Sequence, residues 1–145
     1  KHLLNNSIPL LVLTTAIFYF YKPIAWELFF WNYFTSGLLL WVAGRDAYHV
    51  GASTLIYCFA SFIFFSGLIR RYYRLMALSL LVVFLYGSMV WGILPVDPHI
   101  SWEGHLFGAI AGFYFSIQYR KEGPQREKYE WEMESEDDFN STASA

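Results

Sequence analysis

Few side chains in this 145-residue chain can do chemistry, and they sit at informative spacings. His2, Asn5 and Asn6 open the chain, with His2 and Asn6 at i and i+4. Gly51-Ala52-Ser53-Thr54 carries a hydroxyl, and Tyr57 follows Ser53 at i+4. Gly104-His105 carries an imidazole, with Gly108 and Gly112 at i+3 and i+7 from it. On a helix, residues three or four apart share a face. Small residues at that spacing let two membrane helices approach closely, which a histidine needs if it is to exchange a proton with a serine on another helix. Each residue also has an ordinary reading. A serine within a span commonly bonds its own i−4 carbonyl, a histidine at a helix entrance contacts interfacial water, and an asparagine near a helix start caps it. Glycine packing and a polar site are compatible with each other.

The elements that must position these groups follow from composition. The chain is 56% hydrophobic, 21% aromatic and 15% charged, whereas a soluble domain has about 25% charged residues. Thirty-one aromatic residues (14 Phe, 11 Tyr, 6 Trp) leave too little polar surface to cover a globule. Residues 1–119 are too hydrophobic for disorder. Ten Lys+Arg against twelve Asp+Glu argue against a nucleic-acid partner. The single cysteine, Cys58, excludes an intrachain disulfide and a four-cysteine zinc site. An all-α membrane protein remains.

A spanning helix needs about 20 mostly apolar residues. Five stretches fit: Leu3–Tyr21, Ile24–Val42, Gly51–Ile69, Leu75–Leu94 and His105–Tyr119, the last extensible through Ile100 and Trp102. Residues 120–145 hold four basic and eight acidic groups, −4 against +2 for the rest, and read as a solvated, disordered tail. The chain opens on Lys1 against an apolar run, with no initiator Met and no signal-peptide pattern, so a fragment lacking an N-terminal portion is expected.

Basic residues favour the cytoplasmic side. Arg70, Arg71 and Arg74, then Arg120 and Lys121, and Lys22 all agree on one topology, with the start of the first span outside and the tail inside. Arg45 alone opposes it, and Asp46 beside it offers a partner. The three polar clusters then lie at the outer ends of the first, third and fifth spans. Side chains of this kind in spans mostly face the bundle interior or a water-filled cavity. Glu27 and Asn32 are candidates for interhelical hydrogen bonds. Trp26, Trp41, Trp91 and Trp102 suit interfacial belts, and Cys58 reads as packing. A metal site from His49, His99 and Asp97 is not demanded by spacing, so neither a metal nor a cofactor is expected.

Gly51-Ala-Ser53 opening one helix, Gly104-His105-Leu-Phe-Gly108-Ala-Ile-Ala-Gly112 opening a later one, and His2-Leu-Leu-Asn-Asn6 before both resemble the rhomboid intramembrane serine proteases, most closely small bacterial members. The resemblance covers nearly everything before the tail. It implies a six-helix core, of which this chain carries helices two to six and lacks the first. It implies a Ser–His dyad without an acid: Ser53 as nucleophile, His105 as general base and acid, and an oxyanion hole from the Ser53 backbone N–H with His2 and Asn6. Tyr57 corresponds to the aromatic residue packed on the dyad histidine, and Gly51, Gly108, Gly112 and Thr54 are supporting positions.

The function implied is an endopeptidase that cleaves transmembrane segments of other membrane proteins. Substrates would enter between the first and fourth spans, and the two-proline loop Pro95–Trp102 would cap the site. The location implied is a bacterial inner membrane, with the site opening to the outer face and the tail cytoplasmic. Two departures from the pattern matter. Thr54 stands where the family usually has Gly, which adds bulk expected beside the oxyanion hole. Without the first helix, a chain of only these residues is expected to be unstable or inactive. Two alternatives are a catalytically silent relative that binds transmembrane helices, and a small transporter or channel; the latter requires polar groups through the whole depth of the bundle.

Overall fold

A computed structural model describes residues 2–45, 52–85, 94 and 101–125, the side chains of residues 2–5 excepted. Every regular element among the described residues is helical: α1 (His2–Phe20), α2 (Ala25–Ala43), α3 (Ser53–Arg70), α4 (Tyr73–Leu85) and α5 (Trp102–Gln118). The expected all-α class holds. α5 begins at Trp102 rather than His105, so the histidine lies at the end of the first helical turn. α4 is described only to Leu85, and residues 86–93 of the expected fourth span lie outside the described residues.

α3 is by itself long and apolar enough to cross a membrane, with a mean hydropathy of 1.5 over 18 residues. Asn6–Phe20 and Lys22–Ala43 meet that condition together, bent by 108° at the break between them. The bend has a local cause. Pro23 sits at the start of the short 3-10 turn Lys22–Ile24, where its fixed φ and missing N–H prevent α1 from continuing.

α3 is the central helix and packs against all four others. It runs parallel to α5 along its length. Ser53 meets His105 at one end, Ser61 Oγ donates to the Ala109 carbonyl at 2.7 Å midway, and Arg70 reaches Tyr119 and Arg120 at the other end. Two glycines permit this pairing. A Cβ on Gly108 would lie 2.5 Å from the Thr54 carbonyl oxygen, and one on Gly112 would overlap the Cys58 carbonyl. α4 returns antiparallel, with Ser79 Oγ donating to the Ala60 carbonyl at 2.7 Å. The turn between them places Arg71 in the left-handed region at φ 55, and the Tyr72 N–H reaches back to the Gly67 carbonyl at 2.8 Å.

Polar and apolar positions are distributed inside out. Asn32, Ser36, Ser66, Ser79 and Ser116 are buried, whereas Trp26, Trp31, Phe34, Leu38 and Trp41 of α2 are exposed. Monomeric soluble proteins rarely expose so continuous an apolar face; helices in lipid do, and they turn polar groups inward. The buried hydroxyls are satisfied by backbone carbonyls or by each other. Tyr21 and Ser66, for example, share a 2.6 Å hydrogen bond that ties the end of α1 to α3. Glu27 bonds between elements as expected, accepting from the Tyr119 hydroxyl at 2.8 Å. Asn32 does not: its Nδ2 donates to the Leu28 carbonyl of its own helix at 2.9 Å.

Arg70, read from the sequence as a charge of the link between the third and fourth spans, is drawn into the bundle. It is the last residue of α3 and is 6% exposed. Its Nε donates to the Arg120 carbonyl at 3.1 Å, its Nη2 donates to the Tyr119 carbonyl, and its guanidinium lies 5.2 Å from the centre of the Tyr21 ring. It therefore caps the carbonyl end of α5, where the helix dipole favours a cation. Each hydrogen bond from a charged donor contributes about 1.5–3 kcal/mol. Arg70→Ala is expected to cost about 2–4 kcal/mol, read as a lower melting temperature of the purified protein in detergent.

Candidate active site

Ser53 is the first residue of α3 and is half-buried. Its Oγ lies 3.0 Å from His105 Nε2. That is within the reach required between a nucleophile and its base. His105 is 8% exposed. Its ring stacks on Tyr57, with centroids 4.2 Å apart and planes inclined by 18°. Tyr57 is one turn beyond Ser53 on the same face, so α3 supplies both the hydroxyl and the surface on which the imidazole lies. In a serine triad a carboxylate holds the imidazole's orientation. Here the carboxylate nearest in sequence, Glu103, faces away: its Oε1 is 3.2 Å from Arg45 Nε. Among the described residues, the flat stack on Tyr57 restrains the ring. Offset stacking contributes about 0.5–1.5 kcal/mol. Tyr57→Leu is therefore expected to slow the reaction of Ser53 with a phosphonate probe by about tenfold, and Tyr57→Phe by less.

The N-terminus of α3 has no side-chain cap among the described residues. Its first-turn N–H groups, that of Ser53 included, lack intrahelical partners and make a ready anion-binding end. Asn6 lies half-buried on α1, which packs on α3. The backbone of His2 opens α1, and its side chain is outside the described residues. Gly51 and loop residues 95–100 are outside them too, as are His49, His99 and Asp97. Among the described residues no group of three or more His, Cys, Asp and Glu gathers to hold a metal.

Thr54, next to Ser53, packs against α5. A Cβ on Gly104 would lie 2.9 Å from Thr54 Oγ1, so the threonine occupies space between α3 and α5 that Gly104 leaves open. One residue after Ser53 on a helix is a rotation of about 100°; that rotation carries Thr54 towards α5. Arg45 Nε pairs with Glu103 Oε1 at 3.2 Å, and Asp46, its expected partner, lies outside the described residues. Glu103 and Gly104 were not singled out as site residues in their own right. The available signal was a carboxylate in the first turn of a membrane helix, two residues before the histidine.

The fold and the paired side chains define an all-helical membrane bundle with a serine–histidine pair at one end. The chain belongs to the rhomboid family: the Rhomboid domain matches residues 1–122. Members of that family are membrane proteins and are usually intramembrane proteases. The uncharacterized proteins Rv1337 of Mycobacterium tuberculosis and Mb1372 of Mycobacterium bovis are each 35% identical over 127 residues, covering 77% of this chain and 50% of their own length. The uncharacterized protein ML1171 of Mycobacterium leprae is 32% identical over 129 residues, covering 77% of this chain and 48% of its own. The chain thus spans about half the length of the curated relatives it matches. No solved structure matches it.

Proposed function

We propose that this protein is an intramembrane serine endopeptidase whose dyad is Ser53 and His105. The observation that carries the reading is the 3.0 Å approach of Ser53 Oγ to His105 Nε2. With Nε2 unprotonated, His105 takes the Ser53 proton as Oγ attacks a peptide carbonyl. The oxyanion that forms meets the Ser53 backbone N–H, with Asn6 and His2 as further donors from α1, each such donor contributing roughly 3–4 kcal/mol. His105 then passes the proton to the leaving amine, and water releases the acyl group by the reverse sequence. The substrate is a transmembrane segment of another protein, unwound locally so that its peptide bond becomes accessible. It enters from the bilayer between the first and fourth spans.

The same reading takes residues 1–119 as the membrane domain, with five crossings, and residues 120–145 as a tail on the cytoplasmic side. The site opens to the outer face of a bacterial inner membrane. The exposed apolar face of α2 and the inward-turned polar groups support residence in lipid. The silent-relative alternative keeps its interest because of Thr54, although Gly104 accommodates that side chain.

The test uses the full-length protein in detergent or liposomes. Wild type is expected to react with a fluorophosphonate and to cleave a transmembrane substrate, and Ser53→Ala to do neither. Cleavage by folded Ser53→Ala at the wild-type rate would remove Ser53 from the role of nucleophile.

A further inference from the structure

We propose that the ion pair between Arg45 and Glu103 is a positioning device for His105, setting the rotation of α5 that presents the imidazole to Ser53. The inference rests on the dyad reading above and names residues that reading does not use. Glu103 precedes His105 by two residues, a rotation of about 200° around a helix of 3.6 residues per turn. The two side chains therefore leave α5 on nearly opposite faces. His105 faces α3 and meets Ser53 at 3.0 Å. Glu103 faces the end of α2 and meets Arg45, just beyond that helix, at 3.2 Å. Gly104 lies between them. A Cβ there would be 2.9 Å from Thr54 Oγ1 on α3 and 3.6 Å from Leu40 Cδ2 on α2. The first turn of α5 is thus wedged between both neighbours, and the ion pair holds the side away from the dyad.

The energetics favour positioning over stability as the role of this pair. The Glu103 side chain is 6% exposed against 40% for Arg45, and Glu103 Oε2 is buried with no hydrogen-bond partner among the described residues. A buried ion pair with incomplete hydrogen bonding contributes little net stability, because desolvation offsets the attraction. What it supplies is direction. It draws one face of α5 towards α2, and its negative end lies in the first turn, where the helix dipole favours it. A rotation of α5 about its own axis moves the imidazole relative to Ser53, so the 3.0 Å contact depends on that azimuth. Tyr57 sets the plane of the ring, and the Arg45–Glu103 pair sets the azimuth of the helix that carries it.

The test replaces both partners in the full-length protein, since removing Arg45 alone strands the buried Glu103 carboxylate. Arg45→Leu/Glu103→Leu is expected to melt within a few degrees of wild type. Its rate of fluorophosphonate labelling at Ser53 and its kcat should fall about tenfold, with KM for a transmembrane substrate unchanged. Should the double variant fail to fold, Glu103→Gln keeps the side-chain volume while removing the charge, and it is expected to show the same fall in labelling. Labelling and kcat at wild-type values in a folded variant would overturn the proposal, as would a rise in KM with kcat intact. If wild type itself neither labels nor cleaves, the dyad reading falls first. If wild type is active and the folded variant matches it, the positioning role alone falls.

Discussion

Alanine at Ser53 or at His105 is expected to lower kcat/KM for a transmembrane substrate by roughly 10³- to 10⁶-fold, with little effect on melting temperature. The two groups work as one unit. Ser53 without a base is a weak nucleophile, and His105 without the hydroxyl has no proton to move. The losses are therefore expected not to add: the double variant should be no slower than the worse single one. The residual rate would come from substrate binding and from oxyanion donors on α1 and α3, which both substitutions leave in place. Neither change should disturb the bundle, because each removes atoms from a half-buried or nearly buried site without adding any. Kinetics in liposomes with all three variants checks this. Additive losses would mean that the 3.0 Å contact between the two side chains is not a functional coupling.

The second large effect concerns backbone proximity. A Cβ at Gly112 would overlap the carbonyl oxygen of Cys58 and come within 2.9 Å of the Phe62 nitrogen. The obstacles are backbone atoms of α3, which cannot rotate away, so Gly112→Ala must separate the two helices. Overpacking of this kind costs roughly 1–3 kcal/mol. The consequence for activity is larger, because the same helix pair carries Ser53 and His105. A misplacement of about 1 Å costs about 10²-fold in rate. Gly112→Ala is expected to lower both melting temperature and kcat, the latter by about 10²-fold. Gly37→Ala in α2 is the control, since a Cβ there meets nothing within 4 Å. Helix propensity alone would make that change neutral or slightly stabilising. Wild-type melting and kcat in Gly112→Ala would show that the close approach of α3 and α5 matters less than the geometry implies.

Much of this was legible in the order of residues. Hydropathy located five helical stretches within a few residues of the helix ends that fall inside the described segments. The run Gly104 to Gly112 marked the helix face along which another helix approaches. The polar residues Ser53, His105 and Asn6 stood out because nearly everything around them is apolar, and a polar side chain in lipid has few roles. Each of these signals is local: it depends on one residue and its neighbours within a turn.

What escaped is non-local. Arg45 meets a carboxylate 58 residues on, at Glu103. Arg70 read as one more link charge beside Arg71 and Arg74, yet it caps α5 from within the bundle. Thr54 Oγ1 lies beside Gly104 of α5. Asn32 donates within its own helix, to the Leu28 carbonyl, while its Oδ1 is buried with no hydrogen-bond partner among the described residues. Composition and hydropathy measure the free energy of placing a helix in lipid, which scarcely depends on how that helix is rotated or which neighbour it meets. The sequence by itself therefore determined that the chain is helical and apolar, and which side chains had chemistry to offer. The parallel pairing of α3 with α5, and the rotation of α5 that brings an imidazole to a hydroxyl, were decided by tertiary packing, because interhelical distance is set by the backbone atoms that meet at Gly108 and Gly112.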